Sequence, residues 1–414
     1  MIWLYRKLLD RCLVTLVRRG SFLVLWPDGS RSEYGGTPGF KAGIHLKTDE
    51  AVKRLALNPS LALGESYMDE SLTPVDCTIH DVLSVLMDNQ NDVSLPIIAI
   101  AAKTARLLRP VLQANDAIRS KSNVAHHYDL NGRLYSLFLD RDRQYSCAYF
   151  ESDDVSLDDA QLAKKRHIAA KLKLDRPGLE VLDIGCGWGG MALTLAKEFG
   201  AKVTGITLSE EQLAAARARA DQEGLSGRVS FELVDYRAMH RQFDRIVSVG
   251  MFEHVGAPNY TTFFKTVKSC LKPDGVALIH SIGRFDGPGA TNPWIAKYIF
   301  PGGYSPSLSE VLGPVEKSGL KTTDIEILRL HYAKTLAHWR RRFAANRDAI
   351  ASLYDERFCR MFEFYLSGSE LAFRVSDHMN FQIQLVRQQE ALPLTRDYIF
   401  EAERNASQFA SASE

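Results

Sequence analysis

The sequence predicts an α/β protein whose larger part is a doubly wound sheet, preceded by a small α+β domain. Three observations carry this reading. Beyond residue 175, apolar runs of strand length alternate with segments of helical period. A glycine-rich turn, VLDIGCGWGG, stands between the first of those strands and the first of those helices. Before residue 110 the pattern differs, with a helical stretch followed by a strand, a PDGS turn and a second strand.

In chain order, residues 1–20 place apolar side chains at helical spacing, and GSFLVLWPDGSRSEYGG then forms a hairpin. Short amphipathic helices follow at 49–57 and 79–88. The polar stretch 111–123 has no strong period and is assigned as a linker, so the small domain covers 1–110 and the larger one 124–414. The expected strands are LEVLDIG, KVTGIT, VSFELVD, FDRIVSVG and GVALIHSIG. MALTLAKEFG, EEQLAAARARADQEG and YTTFFKTVKSCL are the helices between them, with Pro273, Asp274 and Gly275 ending the last. Segment 284–320, rich in Gly, Pro and aromatics, is expected to cap the mouth of the sheet. Residues 333–391 return to a helical pattern, with Trp339, Phe343, Phe358, Phe362 and Phe373 available for packing.

Composition narrows the class. The 414 residues are 45% hydrophobic and 24% charged, with a formal net charge of +1, as in an ordinary soluble protein of two or three domains. No apolar run approaches the ~20 residues of a membrane-spanning helix. Arg6, Lys7, Asp10 and Arg11 interrupt the N-terminal stretch, so it is a poor secretory signal. Six cysteines lie far apart without a CxxC pair, which points to a reduced, cytoplasmic protein without a metal site. Basic runs occur at 1–20, 103–121 and 340–347. They read as solvated helix faces or, because Trp, Leu and Phe accompany them, as contacts for an anionic membrane surface. No recognition motif for nucleic acid accompanies the charge.

The glycine loop follows a strand and opens a helix, where free amides and a sharp turn suit a nucleotide. Gly185, Gly187 and Gly190 satisfy the dinucleotide GxGxxG spacing, but the next strand ends at Ile206, Thr207 and Leu208 with no acid for the ribose. The segment reads instead as DxGxGxG, with Asp183 two residues before Gly185. That is the signature of S-adenosylmethionine-dependent methyltransferases, and VDYR at 234–237 stands where such a fold meets the adenine.

Four separated stretches identify the kind of methyltransferase. HHYDLNGRLYSLFLD with YSCAYFE, GCGWGGMALTLAKEFGAKVTGITLSEEQ, GMFEHVG, and HSIGR with HYAKTLAHW together resemble the cyclopropane fatty acid synthase family, which includes the mycolic acid cyclopropane synthases. The resemblance runs from about 120 to 400. GESYMDESL at 64–72 is similar to the extra domain of the bacterial phospholipid-modifying members. It implies a seven-stranded, Rossmann-like methyltransferase sheet with a helical cap, acting on cis-unsaturated acyl chains of membrane phospholipid. It further implies a peripheral protein at the inner face of the membrane, and family members are often homodimers.

The resemblance also implies a site. Tyr145 and Ser146 would contact S-adenosylmethionine from the N-terminal side, and Asp183, Gly185, Gly187 and Gly189 would cradle its methionine part. Thr207, Leu208 and Gln212 would hold the ribose, and Tyr236 and Arg237 would flank the adenine. Closing a ring on an alkene requires loss of a proton from the newly added methyl, hence a base in an otherwise apolar pocket. The family's base is a bound bicarbonate, and the matching residues are Cys147, Glu253, His280 and Tyr332 with the Ile282 amide. Tyr128, Tyr149, Phe150 and Tyr304 are candidates to face the carbocation. His254 and Cys186 read as structural. Ser369 stands where many members carry a cysteine, which argues against covalent catalysis here. The alternatives are a methyl- or methylene-branched product, or a soluble small-molecule substrate.

Overall fold

Period and turn chemistry set the local elements, and topology then decides which strand ends meet. A computed structural model describes residues 2–90 and 132–411 of the chain. The N-terminal elements are α1 (Ile2–Leu16), β1 (Ser21–Leu25), β2 (Arg31–Gly35), β3 (Lys41–Leu46), α2 (Asp49–Leu57), α3 (Pro59–Met68), β4 (Leu72–Pro74) and α4 (Ile79–Gln90). Next come α5 (Gly132–Phe138), α6 (Leu157–Lys171), β5 (Glu180–Ile184), α7 (Gly190–Phe199), β6 (Lys202–Thr207), α8 (Glu210–Gln222), β7 (Val229–Leu233) and β8 (Phe243–Val249). The rest are α9 (Tyr260–Cys270), β9 (Leu271–Arg284), α10 (Pro293–Tyr298), α11 (Leu308–Ser318), β10 (Lys321–Ile327), α12 (His331–Ala345), α13 (Arg347–Leu353), α14 (Glu356–Arg374), β11 (His378–Val386) and α15 (Asp397–Ser411).

The described residues fall into two units. One gathers those of 1–109, 290–301 and 336–378, the other those of 110–289, 302–335 and 379–414. In the first unit the expected hairpin pairs β1 with β2 antiparallel, β3 lies parallel to β1, and β4 closes the sheet. Phe22, Val24, Trp26, Leu46 and Val82 are buried beneath it. The GESYMDE stretch explains why distant segments join this unit. Gly64 lies against the Trp294 indole so closely that a Cβ would come within 2.4 Å of Nε1. Glu65 accepts from Lys297 Nζ at 2.7 Å and Tyr298 hydroxyl at 2.9 Å, and Tyr67 hydroxyl donates to Glu363 at 2.7 Å. Segment 284–320, expected as one cap, is therefore divided, with 290–301 belonging to this first unit.

The second unit is built on a seven-stranded sheet in the order β10-β11-β9-β8-β5-β6-β7. β7, β6, β5, β8 and β9 run parallel, and β10 pairs antiparallel with β11. One apolar cluster joins the strands to α9 and α11, and another joins them to α6, α7 and α8. From β5 the chain winds to β6 and β7 on one side, then returns to β8 and β9 on the other. The carboxyl ends of β5 and β8 therefore flank a switch point, where an open sheet leaves a crevice.

All five expected strands are present, but three details differ. α9 stops at Cys270, and Pro273–Gly275 lie within β9, where the register with β8 shifts. Strand β10 went unanticipated. Residues 378–386, expected as helix, form β11, because Met379, Phe381, Ile383 and Leu385 alternate with Asn380, Gln382 and Gln384 and both sets are buried. The linker 111–123 and Tyr128 lie outside the described residues. No helix among those described is long and apolar enough to cross a membrane.

Candidate active site

The crevice is shaped first by the glycine loop. After β5, Gly185, Gly187 and Gly189 all adopt positive φ, so the chain folds back on itself before α7 begins. Their surroundings separate their roles. A Cβ on Gly187 would meet nothing within 4 Å, which leaves its backbone open to a ligand. A Cβ on Gly189 would come within 2.8 Å of Phe231 and 3.0 Å of Ala216, so this glycine serves the packing of α7 on the sheet.

Ten of the expected cofactor residues line one cleft, namely Tyr145, Ser146, Asp183, Gly185, Gly187, Thr207, Leu208, Gln212, Tyr236 and Arg237. Gly189 is the one that does not. At the cleft floor Asp183 is buried, its Oδ2 has no hydrogen-bond partner, and burial pushes its carboxyl up to about 7. Thr207 Oγ1 donates to Gln212 Oε1 at 3.1 Å, which ties the end of β6 to the first turn of α8. Arg237 is clamped by Asp235, with Nε to Oδ1 at 2.9 Å and Nη2 to Oδ2 at 2.6 Å. Arg143, Gln144, Trp188, Met251 and His254 also line the cleft and were not named from sequence as ligand contacts, and Asp235 of the VDYR stretch lines it too. His254 is half-buried, and desolvation lowers its imidazole to about 4, so it is neutral.

The expected anion residues come from two directions. Glu253 sits in the short turn after β8, buried, with Oε1 accepting from the Ile282 amide at 2.6 Å. That amide was expected to face the anion and instead holds the carboxylate. Oε2 of Glu253 has no partner within hydrogen-bond distance, and burial raises the carboxyl to about 7 against the pull of the Ile282 amide and the neighbouring Ser281 hydroxyl. His280 lies two residues before Ile282 on β9, on the same face of the strand. Its Nδ1 is 3.1 Å from Gln382 Nε2 of β11, while its Nε2 is buried without a partner. Burial, with Lys164 and Lys171 nearby, lowers the imidazole to about 3. A Gln382 amide that donates to Nδ1 leaves the neutral ring's proton on Nε2 as a donor, whereas the flipped amide would accept from Nδ1–H.

Cys147 is fully buried, and burial pushes its thiol well above the ordinary range, so it is not a thiolate. The loop that carries it is pinned to the first turn of α12. Ala148 N donates to Thr335 Oγ1 at 3.0 Å and Phe150 N to His331 Nδ1 at 2.9 Å, which sets Cys147 beside the turn that bears buried Tyr332. Gly250 links this loop to β9. Its amide donates to the His280 carbonyl at 2.9 Å, and a Cβ on it would lie 3.8 Å from Ser146. Of the aromatics expected to face a cation, Tyr304 lies beside Glu253, its amide donating to the Glu253 carbonyl at 3.0 Å. Tyr149 is stacked against both His167 and His331, and Tyr304 hydroxyl donates to Glu310 at 2.7 Å. Neither these nor Phe150 lines the cofactor cleft, and neither do Cys147, Glu253, His280 or Tyr332. Among the described residues no cluster of three His, Cys, Asp or Glu side chains is placed to hold a metal.

Two family models match the chain: mycolic acid cyclopropane synthetase over residues 115–383 and a domain of unknown function over 6–95. The chain is 42% identical over 353 residues to the cyclopropane-fatty-acyl-phospholipid synthase of Escherichia coli, covering 84% of this chain and 88% of that protein. It is 34% identical over 359 residues to the tuberculostearic acid methyltransferase UfaA1 of Mycobacterium tuberculosis, covering 83% of each. Among solved structures, the mycolic acid cyclopropane synthase CmaA1 complexed with SAH and CTAB superposes with a TM-score of 0.60 at 33% identity. That match covers 64% of this chain and 97% of the other.

Proposed function

The chain belongs to the mycolic acid cyclopropane synthetase family, and from that premise we propose that it transfers a methylene group from S-adenosylmethionine to the cis double bond of unsaturated phospholipid acyl chains. The alkene takes the methyl from the sulfonium, whose sulfur leaves as a neutral thioether. A proton is then lost from the new methyl, and the ring closes on the cationic carbon. One observation supports this above the others. Two polar atoms of the expected anion set, Glu253 Oε2 and His280 Nε2, are both buried and unpartnered, which is costly unless a small polar group completes them.

Bicarbonate fits that donor set and would supply, when bound, the base that takes the proton. In this reading His280 Nε2–H and the Tyr332 hydroxyl donate to the anion, and Cys147 closes the cavity. Glu253, with its carboxyl near 7, carries a proton much of the time and so avoids repulsion between two negative groups. The Ile282 amide acts through Glu253, fixing the carboxyl plane. Tyr145, Ser146 and the open backbone at Gly187 orient the donor methyl in line with the alkene.

The first unit is read as the membrane-docking part, at the inner face of an anionic bilayer. Trp3, Leu4 and Val14 of α1 are exposed, and Lys7 stands over the Trp3 ring at 4.9 Å. The similarity to tuberculostearic acid methyltransferase favours one second reading, in which proton loss leaves a methylene-branched or still unsaturated methyl-branched chain in place of a ring, on the same cofactor chemistry. Incubation with S-adenosylmethionine and unsaturated phospholipid vesicles, followed by lipid mass spectrometry and proton NMR, tests both. Gain of one CH2 per double bond with upfield ring protons supports the first. The same gain without them supports the second, and no gain defeats both.

A further inference from the structure

Lys164, in the middle of α6, is fully buried and belongs to no role assigned above. Its Nζ donates to Gln144 Oε1 at 2.7 Å and to Ser146 Oγ at 2.9 Å. One turn earlier on the same helix face, Gln161 Nε2 donates to the backbone carbonyl of Ser146 at 2.9 Å and of Gln144 at 3.3 Å. Residues 144–147 have no regular secondary structure of their own, so these two side chains hold the segment from beneath. The same segment carries two residues of the cofactor cleft, Tyr145 and Ser146, and then Cys147 on the anion side.

Burying an ammonium costs several kcal/mol, and an apolar side chain would pack here more cheaply. Neither of its hydrogen-bond partners is charged, so Lys164 is not half of a direct ion pair. Asp140 and Asp142, its own neighbour Lys165, Cys147, Asp183 and His280 are the titratable groups that feel its charge. We propose that Lys164 is a positioning residue that acts through Ser146 Oγ and Gln144 Oε1 to keep the cofactor contacts and Cys147 in one register. The proposal rests on the cofactor reading given above.

The experiment uses the full chain as wild type, Lys164→Met, Gln161→Leu, Ser146→Ala and the Lys164→Met/Ser146→Ala double variant. S-Adenosylhomocysteine binding by calorimetry, KM and kcat for S-adenosylmethionine, and thermal midpoints are measured. Lys164→Met is expected to raise KM and Kd about tenfold with a midpoint within about 3 °C of wild type, since a buried charge has been exchanged for an isosteric apolar chain. In the Ser146→Ala background the same change has a much smaller effect, because the route through Ser146 is already cut. Burial holds the Lys164 ammonium at about 8, so wild type loses kcat/KM as pH rises through that value and Lys164→Met lacks this limb. Gln161→Leu reproduces the KM rise if Lys164→Met does not fold.

Unchanged kinetics in Lys164→Met, or a loss that merely tracks a falling midpoint in both variants, overturns the proposal. Failure of wild type itself to bind S-adenosylhomocysteine removes the cofactor reading and the proposal together. Binding by wild type with no change in the variants removes the proposal alone.

Discussion

The Ile282 amide donates to Glu253 Oε1 at 2.6 Å, joining the turn after β8 to strand β9. One carboxyl oxygen is thereby fixed, and the other is left buried without a partner. A carboxyl so placed has its plane fixed, and burial penalises its charge.

Glu253→Gln keeps an oxygen for Ile282 but cannot ionise. Product formation should fall about 100-fold or more with S-adenosylhomocysteine affinity unchanged. Stability separates the two forms as well. The folded carboxyl holds its proton up to about 7, against an ordinary 4.5, so between those values the folded state binds more protons than the unfolded one. Wild type therefore loses stability as pH rises through this window, by about 3 kcal/mol in total, and Glu253→Gln does not. Urea denaturation at about pH 5 and about pH 8 reads the difference; equal slopes in both proteins would remove the argument.

Gln382→Leu takes the donor away from His280 Nδ1. The imidazole then samples both tautomers, and kcat should fall about tenfold with KM for S-adenosylmethionine unchanged. Nitrogen-15 shifts of the His280 ring report the tautomer directly. Retention of a single Nε2–H form in the variant would show that Gln382 does not select it.

The two glycines of the loop should respond differently to alanine. Gly189→Ala forces a methyl against Phe231 at positive φ and should cost about 2–4 kcal/mol in chemical denaturation. Gly187→Ala meets no protein atom and should cost only about 1 kcal/mol, while weakening S-adenosylhomocysteine binding measurably. Equal destabilisation by both would contradict the roles assigned here.

Ser369, half-buried on α14, has no part in the chemistry as read here. Ser369→Ala and Ser369→Cys should both retain activity within about twofold. A large gain in the cysteine variant, or trapping of a covalent adduct on it, would reopen nucleophilic catalysis.

Trp3→Ala with Lys7→Glu should weaken cosedimentation with anionic vesicles several-fold, and added salt should weaken wild type in the same direction. Activity on a detergent-dispersed lipid should be unchanged. Vesicle binding indifferent to both substitutions and salt would move the docking surface off α1.

How much was legible from sequence follows from how local each signal is. The strand–helix alternation, the hairpin and the glycine loop depend on neighbours a few residues apart, so β5 to β9 and the loop glycines could be read directly, whereas the other cleft residues came from the resemblance of four separated motifs to a family. β11 was missed even though residues 379–385 alternate apolar with polar, because three of its polar residues are buried and a polar residue in sequence resembles a surface one. Lys164, Gln161 and Gln382 were invisible for the same reason. Each looks like an ordinary helix or strand polar group, and only packing shows what it holds. Gly189 carries the motif's spacing, yet Phe231, 42 positions further on, is what leaves no room for a side chain there. The chain by itself therefore determined the elements and the chemical class, because period and backbone conformation are short-range properties. Tertiary structure alone decided which polar groups lose water and which of those find a partner, because desolvation depends on everything that packs around them.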